Sequence, residues 1–471
     1  MMGGVCTVWG QETGRRTNLQ PAADSDAAQP ELILAGPAEP ASRLAIEDLE
    51  DIALHNNPTL VQAQAGIDQQ SGVMQQAGLY PNPQVGYLRS DASPQAGQPL
   101  TNGMFFSQEF VTGGKLRLAK ATEAQMVEQL RWEREAQQLR VLNDLRLRFY
   151  EVLGAERRVR IGADLVKVAD EGLAAAEKLV KAAAASKPDV LQAEIQANTV
   201  RMGLQEAQYR YEAAWRELVH VAGVPDMQPT ALDGTLESNT SQLDWDDCLQ
   251  ELFSRSPQLR AAETRINHAH AELRRERAQP IPNVSVQAVT QYDSFSKSTT
   301  VGTLVSVPVP IFNRNQGNIS HAMADVREAE AEVARVKLVL RDMLADSFQR
   351  YKTAMYQVDR YRRVILPRAR ENLELSTNGY KLGEFNILQV LTARQTWFQS
   401  SLAYVDAQTN LRKVQVEIEG LQLTGGLNPA TLGTALQSQP GGGRQRSLLN
   451  QVQEGTSQQA LPGAFQSFGG R

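Results

Sequence analysis

Several scarcities bound what this chain can be. Its 471 residues include two cysteines and five histidines, too few for a disulfide framework or a cysteine-rich metal site. Cys6 stands near the amino terminus, and Cys248 falls in a helical pattern, where it reads as a small buried apolar residue. His268 and His270 are two apart on a predicted helix, so they point about 200° apart and cannot share an ion. Aromatic residues make up only 6%, a poor composition for a compact α/β enzyme core. Neither charge sign dominates. The 48 basic and 53 acidic residues are interleaved and leave a net charge of −5, without the one-sided basic surface that nucleic acid requires. No apolar run reaches the roughly 18 residues of a membrane-spanning helix, so any membrane crossing falls to strands. Gly113-Gly114-Lys115 lacks the spacing and hydroxyl of a phosphate-cradling loop; it is expected to turn a strand end into a helix start. Carboxylates alternate with arginine, as in Glu128, Arg131, Arg134 and Glu135, the pattern of a solvated helix face. No Ser/His/Asp grouping is spaced for catalysis. No enzyme, cofactor, metal centre or nucleic-acid partner is therefore predicted.

What is abundant is Ala, Glu, Gln, Arg and Leu, in one module written twice. Asn57-Pro58-Thr59-Leu60 recurs as Ser256-Pro257-Gln258-Leu259, and Pro81-Asn82-Pro83 as Pro282-Asn283-Val284. Phe149-Tyr150 falls opposite Phe348 and Tyr351, and Val190-Leu191-Gln192-Ala193 opposite Val390-Leu391-Thr392-Ala393. The offset stays within one or two residues of 200 throughout, which chance matches would not do. The predicted organisation has a first repeat over 44–224, a connector over 225–244 and a second repeat over 245–425. Each repeat reads as two shorter helices, two strands and a long helical hairpin. The strands lie near 83–90 and 102–111, then 283–293 and 299–310; the hairpins span 115–222 and 316–423.

In 316–382 apolar residues recur at helical spacing: Val326, Ala329, Val333, Val336, Leu340, Met343 and Leu344. A helix of about 67 residues would be roughly 100 Å long, a rod suited to lateral coiled-coil packing. Lys187-Pro188 places proline where a helix begins, and Gly383 suits a left-handed helix end. The first 10 residues read as a signal-peptide remnant, 11–43 as a disordered linker and 426–471 as a disordered tail. Val5 directly before Cys6 argues against lipidation there.

The extended segments alternate. Val284, Val286, Ala288 and Tyr292 fall on one face, with Ser285, Gln287, Gln291 and Asp293 on the other. Met104, Phe106 and Phe110 oppose Phe105, Ser107 and Glu109; Val301, Thr303, Val305, Val307 and Val309 oppose Thr300, Gly302, Leu304 and Ser306. Such segments fit transmembrane barrel strands, and on alternation alone they fit a half-buried soluble sheet equally well. Prolines at 81, 83, 280 and 282 stop a helix just before strands, and those at 308 and 310 stop the last strand before a rod. Four strands cannot close a barrel, and lipid tolerates no open sheet. If these strands cross a membrane, several protomers must share one barrel.

These residues resemble the TolC-like outer-membrane efflux protein family over about 44–425. The resemblance rests on the duplicated order, on Leu79-Tyr80-Pro81-Asn82-Pro83, and on Tyr380-Lys381-Leu382-Gly383-Glu384-Phe385-Asn386-Ile387-Leu388-Gln389-Val390-Leu391. Gln108–Lys115 and Val307–Gly317 look most like its heavy-metal, CzcC-like branch. The resemblance implies a mainly α fold with a small β part, a homotrimer sharing a twelve-stranded barrel in outer-membrane lipid, and an α-helical barrel across the periplasm. It implies a periplasmic adaptor and an inner-membrane pump as partners, with substrates passing passively to the exterior. It places the hairpin tips near 183–189 and 382–387, with adaptor contacts at Ser186, Lys187, Gly383 and Glu384. Gate positions would be Asp189, Gln389, Thr392 and Tyr380. Acidic gate residues are usual past the second tip; Gln389 and Thr392 are uncharged here, and only Asp189 keeps an acid. Asp189 also suits a simpler role, complementing the dipole of a first helical turn. The alternative to a channel is a soluble periplasmic coiled-coil adaptor or scaffold, which would show one hairpin flanked by separate β-rich domains.

Overall fold

The computed structural model describes residues 43–90, 101–181, 186–237, 242–294 and 296–428. Contacts divide the chain into Met1–Ser42 and Arg43–Arg471, and every element below belongs to the second unit. The readings of 1–10 as a signal remnant and of 11–42 as a linker lie outside the described residues, as does the tail beyond Asn428. Among the described residues the first copy runs α1 (Ile46–Asn56), α2 (Pro58–Ala77), β1 (Gln84–Ser90), β2 (Thr101–Phe110), α3 (Lys115–Lys181) and α4 (Lys187–Val221). The second runs α5 (Trp245–Arg255), α6 (Pro257–Ala278), β3 (Val284–Asp293), β4 (Ser298–Ser306) and α7 (Gln316–Arg360). A π-turn (Tyr361–Ile365), α8 (Leu366–Lys381) and α9 (Ile387–Glu419) complete it.

The repeated Asn-Pro and Ser-Pro pairs are helix starts. Asn57 Oδ1 accepts the Thr59 amide while its Nδ2 donates to Val221 O at the far end of the repeat. Ser256 Oγ accepts the Leu259 amide. In each case the proline occupies the first turn, where an N–H would have no partner. The strand-to-rod turn uses Gly113 and Gly114, both at φ near +67°, a conformation that disfavours any Cβ.

Two core clusters form, one around each long helix, and Ala136 and Leu139 of α3 reach into the second. Val141, Leu145, Phe149 and Val152 of α3 pack with Leu49, Trp215 and Leu218. Leu340, Leu344, Phe348 and Tyr351 of α7 pack with Leu252, Leu411 and Ile418, and Trp245 meets Phe348 edge-on at 5.4 Å. Cys248 is half-buried against this second core. In the expected α7 stripe Val326, Ala329, Val333, Leu340 and Leu344 are buried, whereas Met343 is 40% exposed. Phase explains it, since one position before Leu344 lies about 100° round the helix.

The structure departs from three sequence expectations. The helix expected over 316–382 is interrupted by the π-turn, because Pro367 has no N–H to give and crowds the preceding turn. The strand expected over 299–310 ends at Ser306, since Pro308 and Pro310 cannot donate to a ladder; Val307 and Val309 leave it. The start of the expected tail is anchored. Gly426 N donates to Asp144 Oδ2 at 2.6 Å, and Gly426 O accepts from Thr59 Oγ1 and Gln137 Nε2.

Candidate permeation path and hairpin tips

Among the described residues four strands form one antiparallel sheet in the order β1-β2-β3-β4. The central pairing, β2 with β3, joins the two copies. Register assigns the faces. Val85 lies opposite Phe106, Phe106 opposite Ala288, and Ala288 opposite Thr303; the neighbouring row is Tyr87, Met104, Thr290 and Val301. This face is apolar and open: Val85 is 70% exposed, Met104 63% and Val301 75%. The other face carries Ser107, Glu109, Ser285, Gln287, Gln291, Asp293, Thr300 and Ser306, with Phe105 covering Gly86, where a Cβ would come within 2.2 Å of the ring. An apolar surface of this size on an isolated protomer needs lipid or a partner. The free edges of β1 and β4 need strands.

At the other end of the rods, α4 opens with a capping box. Ser186 N and Ser186 Oγ both donate to Asp189 Oδ2, at 2.9 and 2.6 Å. These bonds, the hydroxyl's first, hold the Asp189 carboxyl below its usual range. The two bonds that close the capping box thus also favour the charged form of the Asp189 carboxyl. Lys187 and Pro188 form the exposed first turn, and residues 183–185 of the expected tip lie outside the described residues.

The second tip closes differently. Glu384 N donates to Gly379 O at 2.8 Å and Gly383 N to Tyr380 O at 3.1 Å, a Schellman end with Gly383 at φ +76°. Asn386 Oδ1 then caps α9 through the Gln389 amide. Gln389 and Thr392 are exposed three residues apart on α9, hence on one side of it, and Thr392 Oγ1 returns to Leu388 O. Tyr380 is half-buried in the last turn of α8.

A residue not singled out in the sequence links the hairpins just above the tips. Arg394 of α9 enters a seam lined by Leu165, Val168, Gly172, Ala193 and Leu391. Its Nη1 donates to Val168 O at 3.4 Å, and a Cβ on Gly172 would lie 3.0 Å from that nitrogen. Burial lowers its pKa, against the opposing pull of Glu171. The legible signal was Gly172, the small gap in the run Glu171-Gly172-Leu173-Ala174. Among the described residues no group of three or more His, Cys, Asp or Glu side chains is placed to hold a metal ion.

The sequence profile of the outer membrane efflux protein family matches residues 49–224 and again 248–424. The chain is 26% identical over 373 residues to the cobalt-zinc-cadmium resistance protein CzcC of Cupriavidus metallidurans, covering 78% of this chain and 87% of that protein. It shares its fold with CusC, studied for transmembrane channel formation, at a TM-score of 0.68 and 18% identity over 81% of this chain and 92% of that one. It also shares the fold of the outer membrane protein VceC of Vibrio cholerae, at a TM-score of 0.64 and 18% identity over 80% and 96% of the two chains. The family assignment sets aside the soluble adaptor alternative, and with two successive matches, an open apolar sheet face and paired rods, this chain belongs to the outer membrane efflux protein family.

Proposed function

We propose that three copies of this chain pool their sheets into a twelve-stranded barrel and conduct substrates passively from the periplasm to the exterior as part of a tripartite efflux system. The observation that carries the reading is the sheet: four strands, apolar on one face, with both edges open. Only neighbouring copies can supply strands to both edges without leaving unpaired backbone in lipid. The tips dock a periplasmic adaptor through Ser186, Lys187, Gly383 and Glu384, and an inner-membrane pump supplies the energy; the channel itself performs no chemical step. Asp189 contributes one ring of three carboxylates at the entrance, with Gln389, Thr392 and Tyr380 as its uncharged neighbours. Such a ring favours cations. The name of the 26% identical relative supports divalent transition-metal cations as cargo.

The barrel is tested by cysteine pairs. Within one protomer β1 and β4 are separated by two strands, or about 14 Å at the usual spacing, twice the reach of a disulfide. Cysteines placed at Val85 and Val305, in a background with Cys6 and Cys248 changed to serine, can therefore join only between copies. Oxidation of outer membranes is expected to yield cross-linked trimers, scanning one residue along β4 to find the register. Cross-linked dimers without a closed trimer, or recovery of a water-soluble monomer, would refute the shared barrel. Cargo is read by cobalt, zinc and cadmium tolerance in cells lacking the chain and in cells given it back.

A further inference from the structure

The duplication does not stop where α9 ends. Pro229, Leu232 and Leu236 recur as Pro429, Leu432 and Leu436, each 200 residues on, the offset that also relates the helix caps Ser186 and Asn386. In the first copy this run is a strap laid across the core. Trp215 Nε1 donates to Met227 O at 2.9 Å. Leu44 N donates to Ala231 O at 3.0 Å and Asp233 N to Leu44 O at 2.9 Å, and Leu232 between them is buried. Gly234 lies so close to the core that a Cβ would come within 2.8 Å of both Phe149 and Leu153. Leu236 packs on the same cluster.

The matching surface of the second copy is a cleft of about 480 Å³. Its walls answer to the residues under the first strap. Tyr351 stands 199 residues after Val152, and Leu411 and Gln415 stand 200 after Tyr211 and Trp215. Gln242 directly precedes Leu243, the counterpart of Leu44. Met355 and Val358 extend the apolar wall. The chain is held on α3 as far as Asn428, whose carbonyl accepts from Gln137 Nε2 at 3.2 Å. Leu411 lies nine residues down α9 from Gly420, or about 14 Å. The eight residues from Asn428 to Leu436 reach up to about 26 Å, and no charged residue falls in 429–437.

We infer that residues 429–437 form a second strap that docks in this cleft, with Leu432 and Leu436 seated between α7 and α9. Burial of the two leucines against the apolar wall drives the docking. The second strap is not a replica of the first. Gly433 falls one place before the counterpart of Gly234, and the Leu243 amide donates to the Tyr351 hydroxyl at 3.2 Å. The strap therefore docks by its side chains rather than by a strand bridge. It lies within one protomer and does not depend on the shared barrel.

The test uses the full chain in detergent, with Cys6 and Cys248 changed to serine. Cysteines are placed at Met355 and Leu436, and in a control at Met355 and Leu448. Oxidation is expected to link 355 to 436 at least about fivefold faster than 355 to 448. Mixing isotope-labelled and unlabelled copies shows from the mass of the joined peptides whether the link lies within one chain. Hydrogen exchange supplies a readout without cysteines, comparing chains that end at Gln437 and at Asn428. Loss of 429–437 is expected to speed amides of 351–359 and 411–415 at least about threefold while those of 145–153 hold. Leu432→Ser with Leu436→Ser in the full chain should reproduce the change. Equal linking at 436 and 448, links only between chains, or exchange untouched by the shorter truncation would overturn the strap. Linking within the chain in a protein that forms no trimer would count against the channel reading and leave the strap standing.

Discussion

Asn143 shows how much one polar side chain can hold in a rod. Buried between Val141 and Leu145, it donates to Gly420 O at 2.8 Å and Leu423 O at 2.7 Å, and so fixes the turn at which α9 ends. Asn143→Leu strands both carbonyls, and a loss of about 2 kcal/mol is expected in urea unfolding of the detergent-solubilised chain. Asp189 acts at the opposite end. Its carboxyl pKa is depressed by the Ser186 hydroxyl and then the Ser186 amide. The cap is therefore fully present above the ordinary carboxylate range and is lost only as pH falls through the depressed value. Asp189→Asn should leave pH 7 stability of the cores untouched, speed amide exchange at 186–190, and reduce cation preference in planar-bilayer recordings. An unchanged ion preference would remove Asp189 from the gate. The sequence offered both of its roles, dipole and gate; it held no means of seeing that Ser186 binds the same oxygen twice.

Alternation in the strands was legible because period two needs only local sequence. Val301 and Thr300 are neighbours on opposite faces of β4, so they make a clean comparison. Val301→Lys is expected to destabilise the membrane-inserted form by about 2–4 kcal/mol, as lysine on a lipid-facing midplane site does. Thr300→Lys should cost much less. Urea unfolding in lipid vesicles measures both, and equal costs would argue against the assignment of faces. Where the strands stop depended on proline chemistry, and reading β4 through Pro308 and Pro310 let alternation outweigh a missing donor. The long helix was read through Pro367 for the same reason, its 3.6-residue pattern being too regular on both sides to betray one inserted residue.

For the whole molecule, the proposed shared barrel makes a single protomer incomplete. A sheet with one exposed apolar face and two open edges, continued into rods of up to 67 residues, or roughly 100 Å, has no use for compactness. Extracted outer membranes are expected to yield an oligomer that runs as a trimer unheated and as a monomer after boiling; a boiling-independent monomer would contradict the shared barrel.

The sequence alone determined the duplication, the alternation of the strands and the breaks at Pro188 and Gly383, because each arises from the local chemistry of neighbouring residues. Tertiary structure decided the rest. The pairing of β2 with β3, which leaves β1 and β4 as the open edges, joins residues as distant in the chain as Thr101 and Asp293. Arg394 lies against Gly172, and Gly426 is held by Thr59, Gln137 and Asp144. These contacts bring together distant segments, and periodicity carries no record of which distant face a side chain will meet.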